Sequence, residues 1–93
     1  RGVRGHEQAG ARYAVVLQSD DLTLSTLLVA PTSRSARATS FRPTITVVGQ
    51  STQVLIEQTA AVDPARLGRA VGVVTRTELD AIRAALRLVL ELD

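Results

Sequence analysis

Arg12 is the residue in this chain whose surroundings best suit a reaction. It joins a polar, glycine-bracketed loop to a short apolar run, in Gly5-His6-Glu7-Gln8-Ala9-Gly10-Ala11-Arg12-Tyr13-Ala14-Val15-Val16-Leu17-Gln18-Ser19-Asp20. Gly5 and Gly10 allow backbone angles that other residues resist. His6, Glu7 and Gln8 set three hydrogen-bonding side chains on the loop. A strand behind a polar loop is a common way to build a site. The planar fork of arginine suits bidentate phosphate contacts. The same residues also fit a plain hairpin loop with a solvated arginine.

Other chemistries find fewer residues. There is one histidine, no cysteine and no acidic cluster with ligand spacing, so no metal or other cofactor is expected. His6 makes a serine–histidine–acid triad conceivable, but no nucleophile-elbow sequence accompanies it. All eleven basic residues are arginine. Residues 1–46 hold six of them against Glu7, Asp20 and Asp21, and residues 47–93 hold five against six acids. That bias fits phosphate binding, and it equally fits a genome rich in arginine codons. The absence of cysteine fits a reducing compartment. No apolar run approaches the roughly 18 residues that span a membrane.

The 93 residues make one small domain, 45% hydrophobic. Residues 12–18 read as a strand buried on both faces, because residues 14–17 are apolar without a break. Residues 26–31 read as a second strand, which Pro31 ends or places at an edge. Residues 32–42 carry three arginines and five hydroxyl residues and read as a long surface loop. It is either a phosphate-tracking surface, with Arg34 and Arg37 at its centre, or a solvated connection. Residues 44–48 alternate like a half-buried strand, residues 49–52 turn, and residues 53–58 return. Asp63-Pro64 opens a helical turn that Gly68 can end, and residues 69–74 make a last strand. Thr75-Arg76-Thr77-Glu78 has capping-box spacing, so a helix follows to about Leu92. Leu79, Ile82, Leu86 and Val89 form its apolar stripe, and Arg87 can pair with Glu91. Leu88, Leu90 and Leu92 exceed that stripe and hint at a second buried face. Short strands with one terminal helix suggest a small, bent β-barrel.

The stretch from Gly5 to Leu22 resembles the loop and second strand of the MazF/PemK (Kid) toxins, usually G-[S/H]-E-Q-x-G-x-R-P-x-[L/V]-V, with Tyr13 where proline is usual. Leu28-Val29-Ala30-Pro31-Thr32-Ser33, Val54-Leu55-Ile56-Glu57-Gln58 and Leu67-Gly68-Arg69 through the last helix match in the same order. The resemblance implies a mainly β fold with one C-terminal helix, an SH3-like barrel, in a homodimer. It also implies that the first strand is missing or incomplete. Arg1-Gly2 matches the start of that strand and Val3 onward the end of the next loop, so a break of about ten to fifteen residues is expected between Gly2 and Val3.

The activity that the resemblance implies is sequence-selective, metal-independent cleavage of single-stranded mRNA. Such cleavage needs only proton transfers and charge stabilisation at phosphorus, because the 2′-hydroxyl is the nucleophile. The family's catalytic pair falls on Arg12, as phosphorane stabiliser, and Thr32, as phosphate-orienting hydroxyl. In Kid-like members a loop histidine and an acid take part, and these fall on His6 and Glu57. Glu57 is either the base for the 2′-hydroxyl or a salt-bridge partner of Arg12. Kid-like members carry an arginine two residues before that acid, where this chain has Leu55. Glu7, Gln8, Ser33, Arg34, Arg37 and Gln58 are the expected RNA-binding residues. Only Tyr13 and Phe41 can stack on bases, so hydrogen bonds and arginine planes must carry much of the recognition. A cognate antitoxin and a bacterial cytoplasmic setting follow from the same resemblance. The alternative is a non-catalytic module on the same barrel that docks on a protein, as CcdB-like gyrase poisons do.

Overall fold

The computed structural model describes residues 2–6 and 12–92. Its strands are β1 (Gly2–His6), β2 (Arg12–Val16), β3 (Leu27–Ser33), β4 (Thr44–Val47), β5 (Gln50–Val54), β6 (Ala60–Val62) and β7 (Leu67–Val73). One helix follows, α1 (Arg76–Leu90). All strand pairs are antiparallel, in the order β4-β5-β3-β2-β1-β7, with β6 also on β3. That path does not close on itself, so the expected barrel is a curled, half-open one with a C-terminal helix.

The apolar run of β2 is buried on both sides, as its lack of alternation predicts. Val15 points into the main core with Val3, Ala30, Ile45, Val54 and Ile56, where Ile82 and Ala85 of α1 meet them. Ala14 points the other way, into a smaller cluster with Val29 and Leu67. β2 is therefore clamped from both faces, which makes its first residue, Arg12, a fixed point.

The break expected between Gly2 and Val3 falls inside a strand, β1 (Gly2–His6). β1 runs through Gly2 and Val3 and pairs with β2 on one side and β7 on the other. Val3 is almost wholly buried.

Pro31 does not end β3. It faces Ala14 of β2, and at the next residue, Thr32, the strand takes up β5 instead. A residue without an N–H fits where a strand changes partners. The Pro31 carbonyl still accepts from Leu55 N at 2.8 Å. The turn expected over 49–52 is shorter: Val48 and Gly49 alone join β4 to β5, both with positive φ, 50° and 76°. The strand expected over 53–58 stops at Val54, and Ile56–Gln58 is a 3-10 turn.

The capping box forms as its spacing predicts. Glu78 N donates to Thr75 Oγ1 at 3.1 Å, and Thr75 N to Glu78 Oε1 at 2.8 Å. The second carboxylate oxygen of Glu78 accepts from Thr46 N of β4 at 2.8 Å, fastening the helix to the sheet. Ala85, rather than Val89, completes the buried stripe of α1, and Leu88, Val89 and Leu90 are exposed. The ion pair on α1 joins Arg76 to Asp80. No described helix is long and apolar enough to cross a membrane.

Candidate nucleic-acid cleavage site

A cleft of about 810 Å³ opens where β2, β3 and the β4–β5 hairpin meet. The strand order dictates this, because β3 lies between β2 and β5 and changes partner at Thr32. Arg12 and Tyr13 line it from β2, and Thr32 and Ser33 from β3. Arg34 and Ser35 continue that wall. Gln50 and Thr52 line it from β5, and Gln58 from the 3-10 turn. Arg12 and Arg34 are its cations, and none of its described lining residues is an acid.

Arg12 is exposed at the first position of the clamped strand β2. Thr32, one strand away, is 8% exposed and donates its hydroxyl to the Tyr13 carbonyl at 2.8 Å. That bond binds the two strands at the point where the ladder between them ends. It leaves the lone pairs of Thr32 Oγ1 available, while its proton is engaged. Ser33 Oγ accepts from Ala36 N at 3.1 Å and so shapes the start of the arginine-bearing loop. Arg34 Nη1 reaches Gln50 Oε1 at 3.4 Å, across the cleft mouth.

His6 stands directly opposite Arg12 in the β1–β2 register. The expected RNA-binding residues Glu7 and Gln8 lie outside the described residues. Arg37 is exposed and does not line the cleft.

Glu57 sits on the 3-10 turn between two lining residues, Leu55 and Gln58, but not on the cleft wall. Its ion pair is with Arg42, not Arg12. Both Arg42 Nε, at 3.0 Å, and Arg42 Nη2 donate to the same oxygen, Oε2. The Arg42 hydrogen bonds hold the Glu57 carboxyl below the usual carboxylate range, and the pairing raises Arg42 in turn. Arg42 also lies over the Phe41 ring, 5.6 Å from its centroid. Among the described residues, no three His, Cys, Asp or Glu side chains come together as a metal would require.

Sequence reasoning missed Arg42, Gln50 and Thr52. Arg42 was one of three arginines in a polar segment with nothing to single it out. Gln50 and Thr52 fell in the supposed turn. Counting by twos back from the buried Val54 would have brought both onto one face of β5.

Residues 1–90 match the family model for the PemK-like, MazF-like toxin of type II toxin–antitoxin systems. A Mycobacterium tuberculosis (strain ATCC 25618 / H37Rv) protein described as a candidate toxin is 47% identical over 55 residues, 59% of this chain. The match spans about half, 52%, of that curated relative. Among solved structures, the Mycobacterium tuberculosis toxin MazF-mt6 superposes with a TM-score of 0.87 at 20% identity, over 100% of this chain and 99% of that one. A mycobacterial endoribonuclease in complex with its cognate antitoxin superposes at 0.83 with 17% identity, over 100% and 95% of the two chains.

Proposed function

Because the chain belongs to the PemK-like, MazF-like toxin family, we propose that it is a metal-independent endoribonuclease that cuts single-stranded mRNA. The observation that carries this reading is the meeting of Arg12 and Thr32 at one cleft, across adjacent strands, with no described carboxylate on its walls. A phosphodiester is an anion, and such a cleft attracts it.

The reaction proceeds by attack of the ribose 2′-oxygen on the adjacent phosphorus. The 2′-hydroxyl proton passes to Glu57 or His6, the P–O5′ bond breaks, and the leaving 5′-oxygen takes a proton from Arg12, which solvent restores. The products are a 2′,3′-cyclic phosphate, or the 3′-phosphate it opens to, and a 5′-hydroxyl. Arg12 stabilises the extra negative charge on phosphorus. Thr32 holds Arg12's strand through Tyr13 in the free protein, and it orients the phosphate once its hydroxyl turns from the Tyr13 carbonyl to the anion. Ser33, Arg34 and Gln58 hold the RNA along the cleft, Arg37 takes a phosphate beyond it, and Glu7 and Gln8 contribute from the β1–β2 connection.

The metal-free reading rests on the side-chain inventory, with one histidine and no cysteine. A relative's structure titled as a complex with its cognate antitoxin supports an antitoxin partner here too. A homodimer in the bacterial cytoplasm completes the proposal. Analysis of the ends of cleaved RNA tests it. The new 5′ ends should accept phosphate from a polynucleotide kinase without prior dephosphorylation. Ends that carry a 5′-phosphate would exclude 2′-hydroxyl attack.

A further inference from the structure

The β4–β5 hairpin carries two features that the fold does not require. The first is Val48, at φ 50°, beside Gly49 at φ 76°. Glycine and asparagine suit such turn positions, whereas a β-branched side chain crowds its own backbone there. Val48 is 66% exposed, so burial does not offset the strain, and it lines the cleft. The second is Thr52 on the same hairpin. It lines the cleft and is 3% exposed, and its hydroxyl has no hydrogen-bond partner among the described residues. Buried hydroxyls are nearly always bonded. Strain and an unused hydrogen bond beside one cleft are marks of a ligand subsite.

We propose that Val48 and Thr52 form the subsite that selects one unpaired nucleobase of the RNA, Val48 packing on its face and Thr52 bonding its edge. The proposal rests on the nuclease reading above. A base fits better than a phosphate, because both residues are neutral and the Arg34 guanidinium, which does reach the hairpin, is bonded there to Gln50. An apolar side chain is also what this chain has to offer a base there: Phe41 packs with Arg42, which leaves Tyr13 as the aromatic lining the cleft. The Thr52 hydroxyl is closed off in the free protein, so contact requires the hairpin to give slightly.

Sequencing of the cut sites in a random single-stranded RNA pool tests this, with Val48→Ala and Thr52→Val beside the parent protein. Val48→Ala removes the apolar surface and keeps a side chain in the left-handed turn. Thr52→Val removes the hydroxyl and keeps the shape. Both should lower discrimination at the same nucleotide position by about tenfold. Thr52→Val should also melt about 4 °C higher, since it deletes an unbonded buried group. Either variant giving the parent's map overturns the proposal. So do effects at two different positions, or a folded variant that loses cleavage of all sequences alike. Binding to uncleavable 2′-O-methyl oligonucleotides separates the two claims. A parent protein that binds them with a base preference that both variants weaken, yet cuts no RNA, keeps the subsite and removes the nuclease. One that binds none of them removes the subsite.

Discussion

Arg12 and Thr32 are held very differently. Arg12 is an exposed side chain on a clamped strand, free to turn toward a phosphate. Thr32 is buried, with its proton engaged by the Tyr13 carbonyl. Their places beside strands were legible because each abuts an apolar run that reads as a strand, whereas the pairing of Thr32 with Arg12 was implied by the family resemblance alone. The environment of Glu57 was not, because its partner Arg42 lies fifteen residues away across a loop and a hairpin. The pairing has a consequence for pH dependence. Arg42 holds Glu57 below the usual carboxylate range. The favourable contribution of this pair is present above the unfolded carboxyl's pKa and is lost as pH falls through the lowered folded value. If Glu57 accepts the 2′-hydroxyl proton, cleavage declines over that same low window. Arg42→Gln should raise the Glu57 pKa and move the acid limb of the pH–rate profile to higher pH. An unmoved limb in a folded variant would take Glu57 out of the proton transfer.

At the level of elements, the helix start was readable because a capping box is local, four residues from end to end. The β4–β5 turn was not, because a valine at positive φ contradicts turn preferences, and misplacing it displaced β5 as well. Pro31 misled for a related reason: local preference marks a strand end, whereas the tertiary fold uses it where β3 changes partner. Glu78 shows how a local motif acquires a long-range role. It satisfies the N–H of Thr75 and also that of Thr46, thirty-two residues away. Removing the Thr75 side chain should therefore cost about 1 kcal/mol, as for an ordinary N-cap. Glu78→Ala should cost about 2 kcal/mol, since it removes charge-assisted bonds to backbone donors on two elements. Urea denaturation of the two variants measures the difference. Equal losses would mean that the bond to β4 adds nothing to stability.

The whole molecule leaves apolar surface uncovered. Leu88, Leu90 and Leu92 near the end of α1 are each more than half exposed, and so is Val73 on β7, at one end of the sheet path. A two-fold interface over that surface would bury it. Sedimentation should then give a dimer at micromolar concentration, which Leu90→Glu weakens. A parent protein that sediments as a monomer would contradict this. The central claim concerns the cleft, and cleavage of single-stranded RNA in excess EDTA tests it most directly. The parent protein should cut, and folded Arg12→Ala should cut at least about 100-fold more slowly. Intact RNA at high protein concentration, cleavage abolished by EDTA, or an Arg12→Ala protein as fast as the parent would contradict the account.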